Sequence, residues 1–166
     1  MRRLLALDLS GKTGWAVMVR NSAPIFGTWV APPEAVGEYG KRHSAFRLWL
    51  LEMDMVHTFD GFAFESPIMK PTDDMHILRV LIGYAVVVEE YAGWIKRQPG
   101  REHFGCTEVS VQTTKKALTG DAYADKKMMI AAACRRGWRV ADDHQADAGA
   151  VGLVGYETLW PKEKAA

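Results

Sequence analysis

Three acidic residues that lie far apart in the chain each fall near one end, first or last, of a predicted helix or strand. Asp8 follows the apolar residues 4–7, Glu65 follows the apolar residues 62–64, and Asp147 lies near the start of the last predicted helix. A carboxylate at the end of a buried strand is costly unless it is paired, hydrogen-bonded or bound to a cation. If the fold brings the three together, they form an oxygen-rich site suited to Mg²⁺ or Mn²⁺ and to the chemistry of phosphate esters.

Each of these residues also has a simpler interpretation. Asp8 alone could be a turn-forming residue at a strand end, whereas Glu65 is harder to dismiss because ligand sites gather at the ends of buried strands. His144 and Asp147 are three residues apart and share one face of a helix. A histidine at a helix start is usually solvated, so His144 becomes a candidate metal ligand or proton shuttle only through its partnership with Asp147. An imidazole is a softer donor than a carboxylate, which favours Mn²⁺ over Mg²⁺.

Asp142 and Asp143 have a structural explanation. A carboxylate that precedes a helix accepts backbone N–H bonds and complements the helix dipole, which is worth about 1 kcal/mol. We therefore interpret one of the two as the N-cap of the last helix.

Five lysines are candidate contacts to a phosphate backbone. Lys12 lies in a Gly-Lys-Thr turn, but a P-loop requires glycine where this chain has Ala6, and a strand follows instead of a helix. We therefore reject a P-loop and keep Lys12 as a possible phosphate contact. Two further pairs flank the loop at residues 119–123, and a solvated lysine face explains them about as well; they are Lys115, Lys116, Lys126 and Lys127.

Composition indicates one ordinary globular domain. The chain has 166 residues, of which 48% are hydrophobic and 25% charged, so we expect a single domain over residues 1–160 and a short polar tail over 161–166. The formal charge of +1 means that any basic surface must be local. Cys106 and Cys134 form no CxxC pair and are expected to be buried thiols. The apolar run 80–88 is too short to span a bilayer, and we expect a cytoplasmic protein.

The pattern of elements predicts a mixed sheet flanked by helices. Three short strands joined by short loops predict an antiparallel meander, and a later strand that follows a helix is expected to be parallel. The helix over residues 73–95 is apolar on more than one face, so either the domain covers it or part of it forms a dimer interface. The predicted strands cover residues 3–9, 14–19, 25–30, 62–65 and 104–110, with a possible short one at 138–140. The predicted helices cover residues 32–57, 73–95, 111–118, 125–136 and 143–159.

The motifs, taken in order, resemble the RuvC family of Holliday junction resolvases in the RNase H-like nuclease superfamily. The matching segments are Leu5-Ala6-Leu7-Asp8-Leu9-Ser10, Gly14-Trp15-Ala16, Phe64-Glu65-Ser66, the stretch 111–120 with Ala124-Asp125-Lys126, and His144-Gln145-Ala146-Asp147-Ala148. The resemblance implies an α/β RNase H-like fold, a homodimer and a crossover junction endodeoxyribonuclease active in DNA recombination and repair. It implies Mg²⁺- or Mn²⁺-dependent cleavage, with paired symmetric cuts in a four-way junction. We expect two ions at Asp8, Glu65 and Asp147, with His144 as a further ligand or a proton shuttle, because in-line displacement needs both the attacking and the leaving oxygen stabilised. The compact chain also resembles bacteriophage-encoded members that act in bacterial cells.

Two departures from the family keep alternatives open. Family members often carry an aromatic residue soon after the second acid, and residues 66–70 contain none. The near-neutral charge also leaves less basic surface than we would expect of a protein that binds a four-way junction. A nuclease acting on other branched DNA, flaps or RNA–DNA hybrids is therefore the nearest alternative, followed by a non-catalytic nucleic-acid-binding module. An actin-like phosphotransferase would need a second domain for which this chain is too short.

Overall fold

The computed structural model describes residues 1–68 and 75–161, and it contains one five-stranded sheet with five α-helices in this part of the chain. The strand order across the sheet is β3-β2-β1-β4-β5. The strands are β1 Arg3–Asp8, β2 Lys12–Val19, β3 Ile25–Val30, β4 Gly61–Glu65 and β5 Gly105–Val109. The helices are α1 Tyr39–His57, α2 Met75–Lys96, α3 Val111–Thr119, α4 Lys126–Arg135 and α5 Asp143–Leu159.

The sheet is mixed, as the sequence predicted. The first three strands form an antiparallel meander, with Asp8 opposite Gly14 in the register of β1 and β2. Strands β4 and β5 each follow a crossover helix and pair in parallel with β1 and β4. The carboxyl ends of β1, β4 and β5 therefore lie along the same edge of the sheet, where Asp8 and Glu65 are found.

Helices cover both faces of the sheet, and the alternation of side chains along each strand divides the core in two. On one face, Leu5 and Phe62 pack with α1 and α2. On the other face, Ala6 and Ala63 meet α5. A Cβ atom added at Gly155 would lie only 2.3 Å from the Ala63 Cβ atom, so this glycine lets α5 lie close against β4.

Two parts of the prediction differ from the structure by more than a shift of one or two residues. The helix expected from Pro32 begins only at Tyr39, because a 3₁₀ turn at Pro33–Ala35 and the positive φ of Gly37 (82°) separate the two segments. The possible strand at 138–140 is wrong: Gly137 (φ 76°) ends the preceding helix, and the Trp138 N–H turns back to the Ala133 carbonyl. The start predicted for α2 at residue 73 lies outside the described residues.

The expectation for the cysteines is also wrong, because both are exposed. Cys106 lies on the edge strand β5, and Cys134 lies on the outer face of α4. None of the helices in residues 1–68 and 75–161 combines the length and apolarity needed to cross a membrane.

Candidate active site

The acidic residues converge because two neighbouring parallel strands and one helix end together. Asp8 is the last residue of β1 and Glu65 is the last residue of β4. Helix α5 starts at the same edge: Asp142 is its N-cap and accepts the Gln145 N–H at 3.0 Å. This cap places His144 and Asp147 in the first two turns of the helix, beside the strand ends.

Close contact between β2 and α5 sets His144 against Asp8. A Cβ atom added at Gly14 would lie 2.1 Å from the His144 carbonyl oxygen, so only glycine leaves room for the helix start. His144 Nδ1 lies 2.7 Å from Asp8 Oδ2, which is a short, charge-assisted contact when the ring is protonated. The same nitrogen is 3.4 Å from the Ser10 hydroxyl. The imidazole is thus held by its Nδ1 atom, and its Nε2 atom is the one left for further chemistry.

The Asp8–His144 pair retains a proton more readily than either group would in water. Burial raises the pKa of Asp8, and the hydrogen bond from His144 opposes this effect. The hydrogen bond to Asp8 raises the pKa of His144, again against the effect of burial. Both directions agree with one proton shared in a crowded acidic environment.

Glu65 is held by a hydroxyl group from α3. Thr114 Oγ1 donates to Glu65 Oε1 at 3.0 Å and lies 2.8 Å from the Val111 carbonyl. Burial raises the pKa of Glu65 to about 8, and the negative charges of Asp8 and Asp147 add to this rise. Glu65 is therefore oriented by a neutral donor while it lacks a cationic partner strong enough to offset its burial.

Asp147 has the least satisfied carboxylate of the set. Its Oδ1 atom is buried and has no hydrogen-bond partner within the described residues. Burial raises the pKa of Asp147 to about 7, and the charges of Asp8 and Asp143 contribute. An unpartnered buried carboxylate oxygen usually costs a few kcal/mol, which a bound cation would relieve.

The donor set fits a hard divalent cation. Asp8, Glu65 and Asp147 provide carboxylate oxygens, and His144 provides an imidazole nitrogen, the ligand types that Mg²⁺ and Mn²⁺ accept. Within residues 1–68 and 75–161, no three or more His, Cys, Asp or Glu side chains already stand in the arrangement of a metal site. The charges of Asp8 and Asp147 nevertheless raise the pKa of Glu65, and the charge of Asp8 raises the pKa of Asp147.

Three of the five candidate lysines contact residues near this acidic edge or act on its acids. Lys12 Nζ lies 2.8 Å from Asp142 Oδ2, and Lys126 Nζ lies 2.5 Å from Asp143 Oδ2. Lys115 Nζ donates to the Ala124 carbonyl at 2.7 Å, and its charge lowers the pKa of both Glu65 and Asp147 against the stronger effect of burial. Lys116 and Lys127 are exposed.

Sequence reasoning missed two residues that shape the site. Thr114 lies within the stretch 111–120, which we interpreted as a helix and as a segment resembling the family, and Gly14 begins a predicted strand and another such segment; we assigned neither residue a role in the site. The neighbouring sequence does not reveal either role, because both contacts are long-range. Thr114 is 49 residues from Glu65 along the chain, and Gly14 of β2 contacts His144 of α5. The positions at which α3 and α5 begin, each beside a strand end, are the feature that could have pointed to them.

Comparison with known proteins supports the fold. No protein-family model and no curated protein sequence matches this chain. The Thermus thermophilus RuvC structure is similar with a TM-score of 0.65 and 16% identity, covering 95% of this chain and 96% of that one. T. thermophilus RuvC in complex with a Holliday junction substrate gives 0.68 and 14%, covering 97% and 98%.

A eukaryotic structure extends this similarity. The yeast mitochondrial Holliday junction resolvase Ydc2 gives a TM-score of 0.61 and 10% identity, covering 95% of this chain and 80% of that one. At these identities the likeness concerns the fold and not individual residues. The chain therefore has the RNase H-like fold of the RuvC-type Holliday junction resolvases.

Proposed function

We propose that the protein is a metal-dependent endodeoxyribonuclease that resolves four-way DNA junctions. The observation that carries the proposal is the cluster of acids at one edge of the sheet, where Asp8 is buried, Glu65 and Asp147 are partly buried, and the charge of Asp8 raises the pKa of both other acids. Bringing these acids together destabilises the fold, which is typical of functional sites. Carboxylates in such a cluster can hold the cations that phosphodiester hydrolysis uses. The likeness to resolvase structures over nearly the whole chain favours DNA junctions as the substrate.

In this proposal the acidic residues hold two Mg²⁺ or Mn²⁺ ions, whose charge would stabilise the attacking and leaving oxygens of the phosphodiester. Asp8, at the centre of the set, holds the His144 ring through Nδ1. His144 Nε2 can then serve either as a ligand or as the group that exchanges a proton with the attacking water. Thr114 keeps Glu65 oriented toward the same edge.

Paired cuts in a junction would require two such sites, which a homodimer provides. Helix α2 is the candidate interface. It buries one side against the sheet and leaves large apolar side chains exposed on the other, including Ile82 (48% exposed), Val86 (44%) and Trp94 (47%). Exposed apolar side chains along one helix commonly mark a protein interface.

Substitution of Asp147 tests the chemistry. We expect Asp147→Asn to abolish junction cleavage with either metal, because it removes a charged ligand, while circular dichroism and junction binding stay unchanged. Full cleavage by Asp147→Asn would contradict the metal-site proposal. The nearly isosteric amide makes a folding failure improbable, and the unfolding midpoint checks this point.

A second variant separates the two roles of His144. His144→Asp replaces the imidazole by a harder ligand, so a ligand role predicts retained cleavage with a preference shifted from Mn²⁺ toward Mg²⁺. Loss of cleavage with both metals would support proton transfer instead.

One alternative function within the same chemistry is supported by a specific observation. Residues 66–70 lack the aromatic residue that the resemblance leads one to expect beside a junction crossover. A nuclease acting on other branched DNA, flaps or RNA–DNA hybrids would not need it. A non-catalytic binding module is less well supported, because it would gain nothing from retaining Glu65 and Asp147 as partly buried acids without a cationic partner.

A further inference from the structure

The positive charge of this near-neutral chain is concentrated in one segment. Residues 111–140 contain seven Lys and Arg against two Asp, a formal charge of +5, whereas the whole chain carries +1 and the remainder therefore −4. This segment comprises α3, α4 and the turn that follows them. A local basic surface thus exists on the side of the molecule that α5 shares with α3 and α4.

Two adjoining clefts extend this basic surface to the end of the molecule away from the acids. They measure about 800 Å³ and about 710 Å³, and both are lined by Arg20, Asn21 and Tyr156. The first cleft extends to Arg136, and the second extends to Arg2. The second cleft lies at the carboxyl end of α5, where Leu159 is about 18 Å along the helix axis from Asp147. The first cleft extends back along the helix to Gly152.

Three arginines in these clefts are held in place over aromatic rings. The distances from guanidinium carbon to ring centroid are 5.2 Å for Arg2 over Trp160, 5.2 Å for Arg20 over Tyr156 and 5.8 Å for Arg136 over Trp138. Arg20 also donates to the Trp160 carbonyl at 2.6 Å, and Arg136 to the Ala117 carbonyl at 3.5 Å. A guanidinium has five N–H donors, so most of each fork remains available, and its fixed plane lowers the entropy lost on binding.

The local chemistry matches phosphate groups better than bases or apolar partners. Tyr156 and Trp160 are each only 8% exposed, with a guanidinium over the ring, so their faces are not free to stack on a base. The acid in the lining is Glu157, which lies 3.8 Å from Arg20 and is half exposed. Planar guanidinium groups bind phosphate oxygens in a bidentate manner.

We propose that Arg2, Arg20 and Arg136 form a second phosphate-binding surface, which holds the backbone of a duplex DNA arm as the arm leaves the acidic edge. The proposal rests on the proposed function, since it takes the DNA to be anchored at Asp8 and Asp147. An axial separation of about 18 Å corresponds to roughly five base pairs. The surface therefore binds any duplex arm of at least that length, and it does not distinguish base sequences.

Salt-dependent binding tests this surface. Anisotropy of a labelled four-way junction is measured over a range of salt concentrations in the Asp147→Asn background, so that cleavage plays no part. Each lost phosphate contact should lower the slope of log affinity against log salt by about 0.9. We expect Arg2→Gln/Arg136→Gln to lower the slope by about two and the affinity several-fold. Shortening the arms below about five base pairs should remove the part of this difference that comes from Arg2.

Arg97→Gln is the matched control, because Arg97 is exposed just beyond the end of α2 on the other face of the sheet and loses the same charge. Arg20 is left intact because it bonds the end of α5, and unfolding midpoints check each variant. An unchanged salt slope in the double variant, with junction binding otherwise normal, would overturn the proposal and leave the arginines with only their contacts inside the protein. A parent protein that neither binds nor cuts any DNA would instead overturn the proposed function, and this inference with it.

Discussion

At the scale of single residues, Thr114 provides the clearest test of how the site is organised. Its hydroxyl orients Glu65 without neutralising it, and groups behind a metal ligand typically contribute 10–100-fold to metal affinity. We expect Thr114→Val to weaken Mn²⁺ binding, measured by calorimetry, by about 10-fold or more, and Thr114→Ser to restore it. The free energy of unfolding should change by no more than about 1 kcal/mol. Equal Mn²⁺ affinity in the valine and serine variants would contradict a positioning role.

The raised pKa of Glu65 makes a separate prediction about stability. The pKa of Glu65 is about 8 in the folded protein and about 4.5 in an unfolded chain, so the folded state retains a proton that the unfolded state releases between these values. The free energy of unfolding of the metal-free protein must therefore fall as pH rises through this window.

Glu65→Gln removes this pH dependence. Urea unfolding in the presence of a chelator should find Glu65→Gln more stable than the parent at pH 8.5 by at least about 1 kcal/mol, the equivalent of less than one pKa unit, with little gain at pH 5. Asp147 contributes the same trend in both proteins and so cancels in the comparison. Parallel stability curves for the two proteins would show that burial does not raise the pKa of Glu65.

At the scale of elements, the approach of α5 to β2 decides whether the acids meet. Gly14→Ala would place a methyl group 2.1 Å from the His144 carbonyl oxygen, so the start of α5 must move away from Asp8. We expect this variant to lose about 1–3 kcal/mol of stability and most of its cleavage activity. Gly11→Ala is the control, because a Cβ atom there meets nothing within 4 Å. Normal activity in Gly14→Ala would mean that the contact between Asp8 and His144 is dispensable.

The helices and strands could be predicted from the sequence, but the contacts between them could not. Alternation and short loops were enough for the meander, and the crossover helices were enough for the parallel strands, because these features follow from local patterns. The ends of β1 and β4 placed Asp8 and Glu65 correctly for the same reason. The contacts of Thr114 and Gly14 could not be predicted, since they depend on how closely α3 and α5 approach the sheet. The exposure of Cys106 was missed because an apolar-looking strand proved to be the sheet edge.

At the scale of the whole molecule, the exposed apolar side of α2 predicts a dimer. Ile82 and Val86 are four residues apart and share one face of the helix. We expect Ile82→Glu/Val86→Glu to give a monomer in analytical ultracentrifugation and to turn paired junction cuts into single nicks. Leu48→Glu, at a 60% exposed position on α1, should leave the assembly unchanged. A dimer that persists in the double variant would place the interface elsewhere.

We propose that the acids at the sheet edge support cleavage of four-way junctions, and a comparison of substrates tests this proposal. A labelled four-way junction is incubated beside a linear duplex, a flap and an RNA–DNA hybrid, with Mg²⁺, Mn²⁺ or a chelator, and with Asp147→Asn as the inactive control. We expect metal-dependent, paired and symmetric cuts in the junction alone. Cutting of flaps or hybrids in preference to the junction would contradict the proposed substrate, and no cutting of any substrate with either metal would contradict the nuclease itself.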